Sequence, residues 1–410
     1  MKSKHLILHS AAGLLLLGAA ACSSPKSDPP GQEAPQPVNT DITTLKFKVE
    51  AAPEWTALFK RNSGWFGADG IFAIPKNGVD APGTAKSTET MFLFSDTMIG
   101  DIKDGKLNPG YTMINNSVAL LKGAQPTAEN IEFYWDKTPA GKPKSLFIPS
   151  TPAAQPGEYY WLGDGFVNTA KNNDTYVFGY RVKNINNQAF GFQEVGNTLI
   201  VIPAGSKPPF TDQRQLDTPF FLPGSGPGDY GSLGGGIFVN TREAGAPQPD
   251  GYVYVYGVRG KAKNVMVARV LPADFEDFGK WRYWDGNDWN ADLSKIANIT
   301  DRASNVLSVT PLPDGRYAMV FQTEGLGKTV GLRLGLKPQG PWGPPIELWD
   351  CTEDVKMDKD FFPYNAKVHA NLSEPGELLI SYNINSFDFF KDILVYPNLY
   401  RPRFIKVKLQ

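Results

Sequence analysis

The chain has 410 residues, with 41 glycines, 34 prolines, 12% aromatic residues and a formal charge of −1. That length supports a large core, either in one β-domain or in two ordinary domains. The near-zero charge excludes recognition of nucleic acid or of an anionic membrane through a basic field, and the glycine, proline and aromatic content suits many short strands joined by turns.

The chain starts with a basic stretch, MKSKHLILHS, followed by the apolar AAGLLLLGAAA and then Cys22. An apolar run this short, ending in small residues, is a signal peptide; a spanning helix needs about 20 apolar residues. Cysteine directly after the alanines resembles a bacterial lipobox, although Ala19 stands where leucine is usual. Residues 1–21 are therefore predicted to be removed and Cys22 to be acylated, giving an outer-membrane lipoprotein that faces the periplasm or the cell surface. Residues 22–44 are polar and proline-rich and read as an extended tether. Only Cys351 remains beyond Cys22, so no disulfide within the folded domain is expected.

From residue 45 onward the sequence repeats. First strands led by small or polar residues (ADGIFAI, GDGFVNT, GGGIFVN, SNVLSVT, YNAKVHA) are each followed by a more apolar second strand (MFLFSD, TYVFGYR, YVYVYGVR, YAMVFQTE, LLISYNI). Third strands begin at Asn116, Asn197, Asn264, Gly331 and Tyr400, and aromatic fourth segments such as IEFYWDK, KWRYWDGNDW and PIELWD close three units. Sets of about four strands recurring at a period of roughly 60–95 residues are the signature of a β-propeller. The prediction is an all-β, five-bladed propeller over residues 45–410, with LKFKVEA at 45–51 supplying the outer strand of the last blade.

First strands of a propeller line its central channel. The five units place Asp69, Asp164, Gly235, Ser304 and Asn365 at the leading position, and Asp96, Tyr180 or Arg181, Arg259, Glu324 and Asn383 just past the second strand. Asp69 reads in two ways. Asp-Gly is a common tight-turn dipeptide because both residues tolerate positive φ; two such dipeptides at one register, beside FSD, also fit carboxylates delivered to a shared site.

The ordered motifs GWFGADG, LFSDT, NNSVAL, RYWDGNDW, GPWGPP and KVHANLSEPGELLISYNIN…LYRPRF carry a resemblance that runs from about Trp55 to Arg403. In that order they resemble a family of five-bladed β-propellers common in Bacteroidetes lipoproteins and in actinobacteria. Its characterised relatives are glycoside hydrolases, among them endo-D-arabinanases that cut arabinofuranosyl chains. The resemblance implies that Asp69 and Asp96 form the catalytic pair, with Asp164 or Glu324 as an alternative acid. It also implies a polysaccharide substrate, most specifically an arabinofuranose-containing one. Two departures are Ser95, where glycine is usual before the aspartate, and the longer insert KNGVDAPGTAKSTET between the first two strands.

Glycoside hydrolysis asks for such residues, since an oxocarbenium-like transition state needs one carboxyl as acid and one as base or nucleophile. Clustered carboxylates raise one another's pKa, which keeps an acid protonated near neutral pH. Trp65, Trp161 and Tyr364 are candidate stacking faces for sugar rings, and Arg181, Arg259, Glu324 and His369 are candidate polar contacts. His369 is the only histidine beyond the signal segment, which excludes a histidine-rich zinc site. No Gly-x-Ser-x-Gly elbow, P-loop or dinucleotide fingerprint is present. No cofactor is expected, and a structural Ca²⁺ in the channel is compatible with the sequence without being required by it. The alternative to an enzyme is a lipoprotein that binds glycans without cutting them.

Overall fold

The computed structural model describes residues 39–186, 190–226 and 228–410. The signal segment, Cys22 and most of the tether lie outside them. Among the described residues no helix is long and apolar enough to cross a membrane.

The expected all-β propeller is observed. Five antiparallel meanders follow one another along the chain. Sheet I contains Phe72–Pro75, Glu89–Phe94, Ser117–Lys122 and Ile131–Tyr134, and sheet II contains Glu158–Asn168, Asp174–Asn184, Phe192–Ile202 and Arg214–Asp217. Sheet III is built on Gly231–Asn240, Tyr252–Arg259, Asn264–Val270 and Arg282–Trp284, with short strands at both edges. Sheet IV contains Leu307–Pro311, Tyr317–Gln322, Thr329–Gly335 and Ile346–Asp350. Sheet V contains Phe361–Val368, Glu377–Ser386 and Pro402–Leu409, and its fourth strand is Phe47–Ala51 from the start of the domain, paired from Phe47↔Leu409 to Ala51↔Ile405. The N-terminal closing strand is thus where the sequence places it.

Alternation along the strands explains how the sheets stack. Met91 and Leu93 turn towards sheet II, joining Tyr160, Val177 and Ile200, while Phe92 turns the other way to meet Leu379 and Phe404 of sheet V. The same division recurs between II and III (Phe178, Leu199, Val255, Met266), III and IV (Tyr256, Val267, Leu307, Met319) and IV and V (Val320, Leu332, Ile380, Ile405). Strands apolar on both faces are what a sheet buried on both sides requires. The core is therefore a set of wedges between sheets, each fully buried aliphatic or aromatic side chain contributing about 1.5–3 kcal/mol.

Buried asparagines pin adjoining sheets. Asn116, just before the third strand of sheet I, donates from Nδ2 to the carbonyl of Tyr160 in sheet II at 3.1 Å. Asn197 does the same from sheet II to the carbonyl of Leu233 in sheet III at 2.8 Å, and Asn383 reaches from sheet V to the carbonyl of Ala68 at 3.0 Å. Backbone carbonyls that face a neighbouring sheet would otherwise be buried without a donor.

One element departs from expectation. The run GWFGADGIFAIP is not a continuous strand: Ser63–Ala68 pairs with Thr97–Lys103, Phe72–Pro75 pairs with Glu89–Phe94, and Asp69–Gly70 separates them. Gly70 has φ +62°, and a Cβ there would lie 2.7 Å from Ser95 Oγ, so only glycine makes the break.

Candidate active site

The break at Asp69–Gly70 and the end of the second strand of sheet I at Ser95–Asp96 lie side by side. The Ser95 N–H donates to the Asp69 carbonyl at 2.9 Å, and the Asp69 N–H donates to the Asp96 carbonyl at 3.3 Å. Both side chains reach a cavity of about 310 Å³. Ser95, the residue that departs from the family pattern, has a role here: its Oγ accepts from the Leu162 N–H at 2.9 Å and donates to the Leu162 carbonyl at 3.2 Å. This anchors the first strand of sheet II against sheet I and sets neighbouring Trp161 so that its Nε1 donates to Asp96 Oδ1 at 3.0 Å. Asn115 Nδ2 donates to the same oxygen at 3.1 Å.

Asp69 Oδ2 accepts from the Tyr364 hydroxyl at 2.7 Å, and Oδ1 is sealed from solvent without a partner at hydrogen-bonding geometry. Loss of hydration pushes both carboxyls above the usual aspartate range. The Asp69 charge raises Asp96 further, whereas the phenols of Tyr364 and Tyr400 partly favour ionised Asp69. Because the charge of Asp69 acts on Asp96, the two titrate as a pair.

A third carboxyl enters from sheet II. Between Arg181 and Val182 the pairing of the second and third strands shifts, so that Gly196 faces Arg181 and Glu194 faces Val182. Such a bulge re-aims side chains, and Glu194 lines the cavity beside Tyr180, Tyr230 and Ser232. Glu194 is 8% exposed, its Oε1 has no partner, and burial pushes its pKa up to about 8. Sequence reasoning passed over it because it lies on a third strand; the available signal was a lone glutamate before glycine in the apolar run QEVGNTLIVI. Lys263, at the turn after the second strand of sheet III, was likewise missed and also lines the cavity.

Of the residues singled out in the sequence, Asp69, Asp96, Trp161, Tyr180, Arg259, Tyr364 and Asn365 converge on this cavity. The others lie elsewhere. Asp164 is buried in the channel, where its Oδ2 accepts from Lys367 Nζ at 2.7 Å and from the Ile237 N–H at 2.7 Å; it borders a separate cavity of about 40 Å³. Arg181 is turned to the outer side of its strand and paired with Glu158 at 3.2 Å. Glu324 is exposed in a left-handed turn (φ +51°) and pairs with Arg302 at 3.3 Å. Trp65 is packed among Phe59, Phe94 and Phe133. His369 is buried with Nε2 2.7 Å from Ser381 Oγ, and desolvation followed by the Lys367 charge pushes its pKa down to about 3, so it is a neutral packing residue. Among the described residues no group of three metal-ligating side chains occurs, and the cation facing Asp164 is the Lys367 ammonium.

Fold and cavity together define a β-propeller with buried carboxyls gathered in one cavity. The chain belongs to the family described as Domain of unknown function (DUF5005), which it matches over residues 53–409. No curated protein sequence matches it. Among solved structures, a Bacteroides ovatus protein described as a candidate hydrolase superposes with a TM-score of 0.67 at 20% identity, over 90% of this chain and 97% of that one. A GH43_1 enzyme from Xanthomonas citri complexed with xylose aligns at TM-score 0.41 and 14% identity, over 87% of this chain and 93% of its own. An exo-β-1,3-galactanase from Phanerochaete chrysosporium with β-1,3-galactotriose aligns at TM-score 0.41 and 8% identity, over 84% and 62%. At these identities the likeness is one of fold.

Proposed function

We propose that the protein is a glycoside hydrolase acting on a polysaccharide, with an arabinofuranose-containing glycan as the first substrate to test. The observation that carries this reading is the convergence of Asp69, Asp96 and Glu194 on one cavity walled by Trp161, Phe192, Tyr230 and Tyr364. Aromatic faces suit sugar rings, and carboxyls of unequal environment suit acid–base division. Glu194, protonated up to about pH 8, serves as the general acid that gives its proton to the glycosidic oxygen as the C1–O bond breaks. Asp69 serves as base or nucleophile, and Asp96, titrating with it, sets the pH at which Asp69 is ionised. Acylation at Cys22, read from the sequence, would hold the enzyme at the bacterial envelope, where such polymers are met.

The test is release of reducing ends by the purified protein from arabinans, arabinogalactans, xylans and galactans, with Asp69→Asn as control. Release by the parent and not by the variant is expected. A protein that binds these glycans without releasing any ends is a binding lipoprotein, and the hydrolase reading fails.

A further inference from the structure

The cavity that Asp69 and Asp96 reach is lined by two cations as well. Arg259, at the end of the second strand of sheet III, and Lys263, in the following turn, both line it. Arg259 Nε donates to Asn298 Oδ1 at 2.7 Å and Lys263 Nζ donates to Asn305 Oδ1 at 2.8 Å, so each is held by a neutral amide. Among the described residues neither has a carboxylate within ion-pair distance, although ion pairs are otherwise frequent on this molecule. Burial lowers the pKa of both; nothing nearby raises that of Arg259, and only Glu194 raises that of Lys263. Glu194, the carboxyl nearest to offsetting them, is not within ion-pair distance of either, and burial pushes its pKa up to about 8.

Two half-buried cations without counter-ions are costly unless a ligand supplies the charge. Their amide partners fix position without neutralising, as a site that awaits an anion requires. We infer that Arg259 and Lys263 form an anion-binding subsite, and that the glycan bound in this cavity carries a carboxylate or sulfate substituent which docks there while the sugar ring lies towards Asp69 and Asp96. The inference rests on the hydrolase reading only in placing a glycan in the cavity; it concerns recognition and not bond cleavage.

The experiment measures binding by the Asp69→Asn full-length protein, so that turnover plays no part. The probes are polygalacturonate and alginate beside their carboxyl-reduced forms, and dextran sulfate and a sulfated galactan beside their desulfated forms. At least one charged member is expected to bind about tenfold or more tightly than its neutral twin, and to weaken as salt rises from roughly 50 to 500 mM. Which pairs respond tells carboxylate from sulfate. Lys263→Met and Arg259→Met should each abolish the preference, and Lys263→Arg should keep it, which separates charge from folding. Equal binding of charged and neutral twins, no binding by any probe, or a preference that survives both Met variants overturns the inference. Binding of charged glycans by a protein that cuts none leaves this inference standing and removes the hydrolase reading; cleavage of neutral glycans alone does the reverse.

Discussion

Asp69 and Asp164 share a Gly/Ala-Asp-Gly sequence in consecutive units, one in the break ahead of Phe72–Pro75 and one within Glu158–Asn168, and they meet opposite surroundings. Asp164 is matched by Lys367 at 2.7 Å; Asp69 is matched by the Tyr364 phenol, also at 2.7 Å. Both partners come from one strand, Phe361–Val368, three residues apart. A register shift between Tyr364 and Lys367, with Asn365 left-handed at φ +59°, sends one side chain to the cavity and the other into the channel. A buried carboxylate facing an ammonium is a fastener; a buried carboxyl facing only phenols stays poised to exchange a proton. The motif does not decide the role of the aspartate. The partner that Phe361–Val368 presents to it does.

That contrast is broken or sharpened by substitution. The largest effect is expected from Asp69→Asn, which should lower turnover at least ~10²-fold while melting within a degree or two of the parent, measured by reducing-end release and calorimetry; Asp96→Asn should follow it. At the fastened aspartate the outcome should invert. Lys367→Met leaves Asp164 buried without its partner and should cost about 3–5 kcal/mol of stability by denaturant titration, whereas Lys367→Met with Asp164→Asn should recover much of that. If Asp69→Asn unfolds the protein and Lys367→Met does not, the two roles are exchanged.

Glu194→Gln should act on pH dependence. Hydrolysis by the parent should rise as the aspartate pair loses its proton and fall as Glu194 deprotonates near pH 8; the variant should lose roughly tenfold or more in rate together with the alkaline limb. Stability carries the same sign. Glu194 is raised in the folded state, so its contribution is fully present below the unfolded glutamate pKa of about 4.3 and is lost as pH rises through about 8. The Gln variant should therefore gain about 2–4 °C in melting temperature at pH 9 relative to the parent and gain little at pH 4. The smallest effect is expected from Ser95→Gly: losing the hydroxyl that bridges to Leu162 should cost about 1 kcal/mol, and a looser Trp161 should lower turnover a few-fold.

How much of this was legible follows the distance over which each feature is encoded. The propeller and its closing strand were readable because short strand sets, with third strands that often begin at asparagine, are local patterns repeated unit by unit. Asp69 and Asp96 were readable because each sits in a compact motif at a strand end. Glu194 was not, since the bulge that turns it inward is visible only in the pairing of two strands. Arg181 shows the same limit from the other side: it stands at the shift and is turned away, while its neighbour Tyr180 lines the cavity. Glu324, which fits the expected register, and His369, a candidate polar contact, both lie away from the site, one in a surface ion pair and the other in the packing beside Phe404. The partners of Asp69 and Asp164 lie some three hundred and two hundred residues away along the chain, beyond any local signal.

The pairing of Phe47–Ala51 with Pro402–Leu409 gives the ring a clasp. Among the described residues no disulfide joins the first and last units; a ladder of backbone hydrogen bonds does, with Glu50 gripping Lys408 and Glu54 gripping Lys406 at its outer edge. In mechanical terms, tension on the segment ahead of Phe47 first meets Arg316, which donates to the Asp41 and Thr44 carbonyls, and the packing of Ile42 and Leu45, and only then the ladder. The strand that carries such a load is also the one whose release would unzip the circle.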